Sequence, residues 1–325
     1  MRQRKIGFDP PHLLRRQHQQ ITQASTSCHL ESSNTLQFNK LMGPDPSYKK
    51  AVEAFNASLA FDRAGDPNAN LSSSEFNRGL LLQKLADAQG TPQLWADAAD
   101  AFRRALAAYS RDKEPQQWAS TQYNLGVALH SLGAHDKNRA VLEQAVAAYR
   151  SAAELQAAAK PADDWAQTQR MLGNALLSIG ENDPEAISVL AEAITAYRAA
   201  LHVYTNTAFP DDFAIAQNGV GYGLTIMGER QHKLEPFTEA VTALRQAVAA
   251  QRNLPSQTSL PYINDSLCRA LSGVGTYGHD RAAFNEAETV CQTALDAFMA
   301  TGNAENAQET TQNLDNVRKG RNALR

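Results

Sequence analysis

The chain repeats with a period of about 47 residues from residue 47 to its C-terminus. Two independent series of positions keep this period, with successive steps of 47, 47, 48, 47 and 47 residues. One series is Gly79, Gly126, Gly173, Gly221, Cys268 and Asp315; the other is Phe55, Phe102, Tyr149, Tyr197, Leu244 and Cys291. A fixed period between about 20 and 50 residues is typical of a stacked array, in which each unit buries its apolar face against its neighbours.

Apolar residues within each repeat have helical spacing. In the segment 118–132 they recur, with Gln122 on the same stripe, in steps of three and four residues, and the same spacing runs through apolar residues of the segment 187–204. No segment alternates with a period of two over a useful length, so we expect no strands. The sequence therefore predicts an all-α solenoid of antiparallel helix pairs, with helices of roughly 18 to 20 residues.

Prolines and glycines recur at the expected helix boundaries. A proline precedes the first helix of each pair, at Pro67, Pro115, Pro161, Pro210 and Pro255. Three glycines, Gly133, Gly180 and Gly228, are expected to end first helices, because glycine takes a positive φ without a steric penalty. Thr91 before Pro92 and Asp183 before Pro184 predict the starts of two second helices.

Short motifs in the two kinds of helix resemble the tetratricopeptide repeat. First helices read NLGVALHSLG from Asn124 and MLGNALLSIG from Met171, and second helices read AVAAYRSA from Ala145 and AITAYRAA from Ala193. The family's first helix carries Leu-Gly and its second carries Ala-x-x-x-aromatic-x-x-Ala. Both helices here are longer than in the usual 34-residue unit of that family. The resemblance implies a TPR-like superhelix that recognises proteins or peptides.

The two ends of the chain differ from the repeats. Residues 1–46 follow no repeat, and we interpret them as a disordered tail or as the product of a start codon assigned too early, with Met42 as the natural beginning. An organelle transit peptide is the alternative for this Arg-rich start. The array is expected to span 47–325, and its polar last segment, 303–325, to form a capping helix.

Charge and hydropathy limit the class of partner. Net charge is −3, and because residues 1–46 carry six Lys or Arg against three acids, the repeats are mildly acidic. A mildly acidic array argues against nucleic acid as the main partner. Neither a secretory leader nor a membrane span is evident in the sequence, so we expect a cytoplasmic protein with no membrane partner.

The sequence offers no pattern typical of an enzyme, a metal site or a cofactor site. The histidines lack the spacing of a zinc helix, and no nucleophile motif is present. Cys268 and Cys291 fall on repeat positions otherwise held by glycine and by aromatic residues, and we interpret them, with Cys28, as core residues; a Cys268–Cys291 disulfide is the alternative. The run Gly219–Gly223 lies within a helix, where we interpret Gly219 as an extra glycine that makes this helix pliable.

The predicted site is the face that first helices present to the inside of the curve. Positions on the first helices that lie outside the stripe of apolar residues vary between copies, as a surface that binds one particular partner would. They are Tyr123, His130, Arg170, Asn174, Asn218, Tyr222, Asp265 and Arg269. Arg170, Asn174 and Arg269 are the favoured polar contacts, and Arg170→Ala is expected to leave melting nearly unchanged. We thus expect a non-catalytic scaffold without a cofactor or metal; the alternative is a ligand-responsive sensor or regulatory subunit of a catalytic partner.

Overall fold

The computed structural model describes residues 71–157, 163–183 and 185–324. The predicted tail at 1–46, with Met42 and Cys28, lies outside these residues, as do Phe55, Pro67, Pro161 and Pro184. Every regular element in the described residues is an α-helix, and none of them forms a strand. The all-α class and the helical-repeat solenoid architecture expected from the period are therefore confirmed.

The chain divides into two compact units between Leu155 and Gln156. The N-terminal unit contains α1 (Leu71–Gln89), α2 (Pro92–Ala108), α3 (Pro115–Asp136) and α4 (Arg139–Gln156). The C-terminal unit contains α5 (Asp163–Asn182), α6 (Ile187–Leu201), α7 (Pro210–Gln231), α8 (Leu234–Arg252), α9 (Leu260–Gly278), α10 (Arg281–Ala300) and α11 (Ala304–Ala323). Odd-numbered helices are the first helices of the repeats, and even-numbered helices are the second.

The prolines locate most helix starts correctly. Pro115 and Pro210 are the first residues of α3 and α7, and Pro92 opens α2 directly after Thr91. The predicted start of α6 at Asp183 is wrong, because this helix begins at Ile187. Asp183 instead accepts a hydrogen bond from the backbone N–H of Glu185, which forms a turn before the helix.

Gly133, Gly180 and Gly228 do not end their helices, so that prediction is wrong. Each lies inside a first helix, and the left-handed residues after α3, α7 and α9 are Lys137, His232 and His279. The three glycines instead allow close packing of the next helix. A Cβ at Gly180, for example, would lie 2.4 Å from Cδ2 of Leu190.

The two repeat series meet in the core of each helix pair. A Cβ at Gly126 would lie 2.7 Å from the ring of Tyr149, and one at Gly173 would lie 2.9 Å from the ring of Tyr197. Both tyrosines are almost fully buried. Glycine is therefore required at these positions because the ring of the second helix lies directly on the backbone of the first.

Cys268 and Cys291 are core residues, as predicted, and they also form the disulfide that was the alternative, between α9 and α10. Their Cα atoms are 5.2 Å apart, and both residues are fully buried. Because they occupy the repeat positions of Gly173 and Tyr197, a covalent bond replaces the glycine–ring contact in this pair.

Gly219 is not an extra glycine, contrary to the prediction. A Cβ there would lie 2.5 Å from ring atoms of Tyr197, the same ring that packs on Gly173. The third glycine of the run, Gly223, is less constrained, since its Cβ would approach Cγ1 of Ile194 to 3.1 Å. Packing therefore accounts for Gly219, and the reason given for a pliable α7 no longer holds.

First helices in the C-terminal unit pack on one another as well as on their own second helices. Contacts join α5 to α7, α7 to α9 and α9 to α11, while α6, α8 and α10 each connect two successive first helices. The last helix, α11, buries only Thr310, Leu314 and Val317. Among the described helices, none has the length and apolarity needed to cross a membrane.

Candidate functional site

Five of the eight predicted site residues are buried rather than open to a partner. Tyr123 and His130 lie in α3, Arg170 in α5, and Asn218 and Tyr222 in α7, each with a relative exposure of 8 % or less. The expectation of an accessible surface at these five positions is wrong. Each first helix packs against neighbouring first helices as well as against second helices. Residues outside the apolar stripe that faces its own second helix are therefore also buried.

The two residues of the N-terminal unit belong to its interior. The ring of Tyr123 packs against that of Tyr149, with centroids 5.9 Å apart. His130 is buried, and burial lowers the pKa of its imidazole to about 4. A histidine in this environment is neutral at physiological pH, which suits a core position.

Arg170 and Asn174 are occupied by contacts inside the C-terminal unit. Arg170 is 1 % exposed, and its Nη2 lies 3.6 Å from Oδ1 of Asp212 on α7. Asn174 is half-buried and accepts a hydrogen bond of 2.7 Å from the hydroxyl of Tyr197. The favoured interpretation of Arg170 as a contact for a partner is therefore wrong, because its charge faces an internal carboxylate.

Arg269 is the centre of a polar group that joins α7 and α9. Its Nε donates a hydrogen bond of 2.6 Å to Glu229, and its Nη2 donates a second one to the other oxygen of that carboxylate. Its Nη1 donates to the hydroxyl of Tyr222 at 3.5 Å. Burial opposes the charge on Arg269, but the carboxylate of Glu229 outweighs it and raises the guanidinium pKa above its ordinary value.

The polar group also includes Glu181, which lies at the C-terminal end of α5. The hydroxyl of Tyr222 forms a hydrogen bond with its carboxylate, and burial raises the pKa of Glu181 to about 7. Arg230 donates to the backbone carbonyls of Asp183 and Glu181, at 2.9 and 3.2 Å. This guanidinium therefore satisfies carbonyls at the end of α5, where a positive charge also suits the helix dipole.

Asp265 and Glu309 extend the polar group to the last helix. Oδ1 of Asp265 accepts hydrogen bonds from Thr310 at 2.8 Å and from Asn313 at 3.3 Å, both on α11. Burial raises the pKa of Asp265. The pKa of Glu309 is raised to about 7, first by burial and then by the nearby charge of Asp265. The carboxyls of α9 and α11 thus lie close enough to repel each other.

The structure brings three predicted residues together with four that the sequence interpretation missed. We call the seven the polar cluster: Glu181, Tyr222, Glu229, Arg230, Asp265, Arg269 and Glu309. Glu181 and Glu229 hold equivalent positions in successive repeats, 48 residues apart, as do Gly173 and Gly221. That recurrence is the signal in the sequence that would have found them. Glu309 has no such counterpart, because Tyr262 holds the position 47 residues before it.

The polar cluster has more acids than bases. It holds four carboxyl groups and two guanidinium groups, and one of those guanidiniums is committed to backbone carbonyls. Among the described residues, no group of His, Cys, Asp and Glu side chains has the arrangement needed to hold a metal ion. The cluster therefore has two more carboxyl groups than guanidinium groups.

Comparisons with known proteins give information on the fold only. No family model matches the chain, and no curated protein matches it. Among solved structures, it is similar to the crystal structure of BtubC (BKLC) from P. vanneervenii, with a TM-score of 0.51 and 16 % sequence identity. That match covers 78 % of this chain and 93 % of the other. Similarity at this identity supports the helical architecture and says nothing about activity or partners.

Proposed function

We propose that the chain is a non-catalytic scaffold of the tetratricopeptide kind. In this proposal it binds a protein or peptide on the first-helix face of its C-terminal unit. The first-helix face is the surface where α5, α7, α9 and α11 present the polar cluster together with Ser272. Support comes from the helix pairs, the motifs that resemble the family, and the half-buried polar residues that these four helices bring together.

The polar cluster is the observation that carries the proposal. Four successive first helices contribute side chains to it, although apolar residues would pack these helices with less desolvation. Polar groups concentrated between packed helices are typical of recognition sites, whose local stability is lower than that of an apolar core. Glu229, Asp265, Arg269 and Glu309 are all partly exposed, so a partner can reach this part of the face.

The location of the protein belongs to the same proposal. We propose the cytoplasm, as the sequence interpretation does. The Cys268–Cys291 disulfide is the observation that opposes this part of the proposal, because such bonds are rare in the cytosol. Alkylation of the free thiols in intact cells, before lysis, decides this point by showing whether the pair is oxidised there.

Matched substitutions on a first helix and on a second helix of the C-terminal unit test the proposed scaffold. Ser272→Arg places a bulky cation one turn beyond Arg269, and Thr289→Arg places the same group on an exposed position of α10. We expect affinity capture from the native cell to lose a stoichiometric protein with Ser272→Arg and to retain it with Thr289→Arg. Equal retention by both variants, at equal melting temperature, would contradict the proposal. A metabolite that shifts the melting temperature, with no protein captured, would favour the sensor instead.

A further inference from the structure

The disulfide between α9 and α10 lies in the middle of this helix pair, between two aromatic contacts. Toward one end of the pair, the rings of Tyr262 and Phe298 pack edge to face, with centroids 5.0 Å apart. Toward the other end, the ring of Phe284 packs so closely that a Cβ at Gly275 would lie 2.7 Å from it. In the middle, the covalent bond takes the place of the ring that tyrosine provides in earlier pairs.

The middle of α9 also carries the residues that this helix contributes to the polar cluster. Arg269 follows Cys268 directly, and Asp265 precedes it by three residues, so all three belong to about one turn. Arg269 donates to Glu229 on α7 at 2.6 Å, and Asp265 accepts from Thr310 on α11 at 2.8 Å. A shift of this turn therefore changes contacts with both neighbouring first helices.

We propose that the disulfide is a redox switch that holds this turn of α9 in the position required for binding. The inference rests on the proposed function, including its cytoplasmic location, because disulfides in cytosolic proteins are usually transient and catalytic or redox-sensing. In the oxidised chain, α9 cannot move away from α10 at Cys268. In the reduced chain, only packing holds the turn that carries Asp265 and Arg269, and partner binding on the first-helix face weakens.

A small dithiol is the reductant that this switch requires. One of its thiolates attacks a sulfur atom of the disulfide, which gives a mixed disulfide and one cysteine thiolate. Its second thiolate attacks the mixed disulfide and releases the other cysteine. The protein disulfide gains two electrons, the dithiol is oxidised to its own disulfide, and the two thiol protons of the dithiol pass to Cys268 and Cys291.

Reduction requires a local opening of the helices around the disulfide. Both cysteines are 0 % exposed, so a dithiol cannot reach either sulfur atom in the closed structure. The helix that packs on both α9 and α10 is α11, and it buries only three side chains. Elements with few buried contacts open at a low cost in free energy. We therefore expect the native chain to be reduced through opening at α11, without global unfolding.

The reduced chain is expected to be loosened in one place rather than unfolded. The two aromatic contacts at the ends of the pair involve no sulfur atom. Glu288 of α10 also keeps its ion pair with Arg318 of α11, at 2.8 Å. Increased mobility should therefore be largest between Asp265 and Arg269 and around Cys291.

Hydrogen exchange of the full chain before and after treatment with dithiothreitol tests the switch. Alkylation and mass measurement count the thiols, since the three cysteines of the chain give one thiol when the pair is oxidised and three when it is reduced. In the reduced chain we expect exchange about tenfold faster or more in peptides that contain Cys268 or Cys291. Exchange in α5 and α6 is expected to change by less than about twofold.

The control is the double variant Cys268→Gly and Cys291→Tyr, which replaces the bond by the glycine–tyrosine contact of α5 and α6. Exchange in its α9 and α10 is expected to be the same with and without dithiothreitol. If this variant does not fold, Cys268→Ala with Cys291→Ala serves the same purpose. A disulfide that resists dithiothreitol in the native wild-type chain, or equal exchange in α9 of its two redox forms, would overturn the proposal.

Capture from the native cell then measures the effect on binding. We expect the reduced wild-type chain to retain about tenfold less of its partner than the oxidised chain, and the control variant to retain equal amounts with and without dithiothreitol. Equal retention by the two wild-type forms would overturn the switch. The scaffold itself is judged by Ser272→Arg in the oxidised chain, so failure of the switch and failure of the scaffold are distinguishable.

Discussion

Gly219 of α7 lies so close to Tyr197 of α6 that a Cβ at residue 219 would be 2.5 Å from the ring atoms Cε1 and Cζ. The ring is 1 % exposed and is also held by Gly173, so it has no free direction in which to move. Gly219 and Tyr197 thus fix the distance between two successive repeats of the C-terminal unit.

Alanine at Gly219 is expected to destabilise the protein, although alanine is the better helix former. The gain in helix propensity is about 1 kcal/mol, whereas overpacking against a trapped ring costs about 1 to 3 kcal/mol. The matched control is Gly223→Ala in the same helix, where the new methyl meets Cγ1 of Ile194 at 3.1 Å. We expect urea unfolding to show a loss for Gly219→Ala and no loss for Gly223→Ala; equal stability of the two variants would contradict this packing account.

Arg170→Ala is expected to destabilise the C-terminal unit, in contrast to the expectation from sequence. Removal of a buried guanidinium leaves the carboxylate of Asp212 without its partner, which costs about 3 kcal/mol or more. The control is Arg245→Ala on α8, because its pair with Glu286 is exposed and contributes at most about 1 kcal/mol. Chemical unfolding of both variants compares the two costs, and similar losses would show that Arg170 is not a buried structural cation.

Loss of the Cys268–Cys291 disulfide is expected to lower stability by up to about 3 kcal/mol, given the 23-residue separation that it closes. Replacement of both cysteines by alanine removes the bond and also leaves a cavity. The pair Cys268→Gly and Cys291→Tyr instead restores the contact seen between Gly173 and Tyr197, so we expect it to recover part of the loss. Thermal melts of the two double variants under non-reducing conditions test this, and a tyrosine pair less stable than the alanine pair would contradict the equivalence of the repeats.

Stability of the C-terminal unit is expected to fall as the pH rises from about 4.5 to about 7. In this range the unfolded chain has lost the protons of Glu181 and Glu309, whereas the folded chain still binds them, so folding is favoured at the acidic end. Both groups retain partial contact with solvent, and we expect a total effect on the order of 2 kcal/mol. Hydrogen exchange of peptides from α5 to α11 as a function of pH measures it within the unit.

Glu181→Gln and Glu309→Gln provide the decisive comparison for this pH effect. Each variant keeps the shape of the side chain and removes its titration, so the double variant is expected to lose most of this pH dependence, with a remainder from Asp265, whose pKa is also raised by burial. His130 acts with the opposite sign in the N-terminal unit: burial lowers its pKa to about 4, so stability there is lost as the pH falls below about 6.5. A double variant that retained the wild-type profile in α5 to α11 would contradict the assignment to these two acids.

The sequence predicted the helices and the packing positions because both depend on local periodicity. Gly126 and Gly173 hold equivalent positions in successive copies, and each packs on the ring of a tyrosine at the equivalent position of its second helix, Tyr149 or Tyr197. The burial of Arg170 and Tyr222 could not be predicted in this way, since it depends on how closely neighbouring first helices stack. Gly219 was misjudged for the same reason: its partner, Tyr197, belongs to the preceding repeat.

The acids of the site show a second limit of the sequence interpretation. Glu181 and Glu229 recur with the period but lie at the C-terminal ends of their helices, outside the stripe from which site residues were chosen. Asp265 and Arg269 were chosen correctly as members of the first-helix face, yet their partners on α7 and α11 depend on tertiary contacts. The excess of acids over bases in the polar cluster could therefore be found only from the structure.

Hydrogen exchange of the captured complex tests the central claim most directly, since it locates the partner on the chain without any substitution. We predict that the partner slows exchange in peptides from α5, α7, α9 and α11, with the largest effect around Glu181, Tyr222 and Arg269. Peptides from the second helices α6, α8 and α10 are expected to exchange as in the free chain. Protection confined to those second helices, or to the N-terminal unit, would contradict the assignment of the first-helix face as the binding surface.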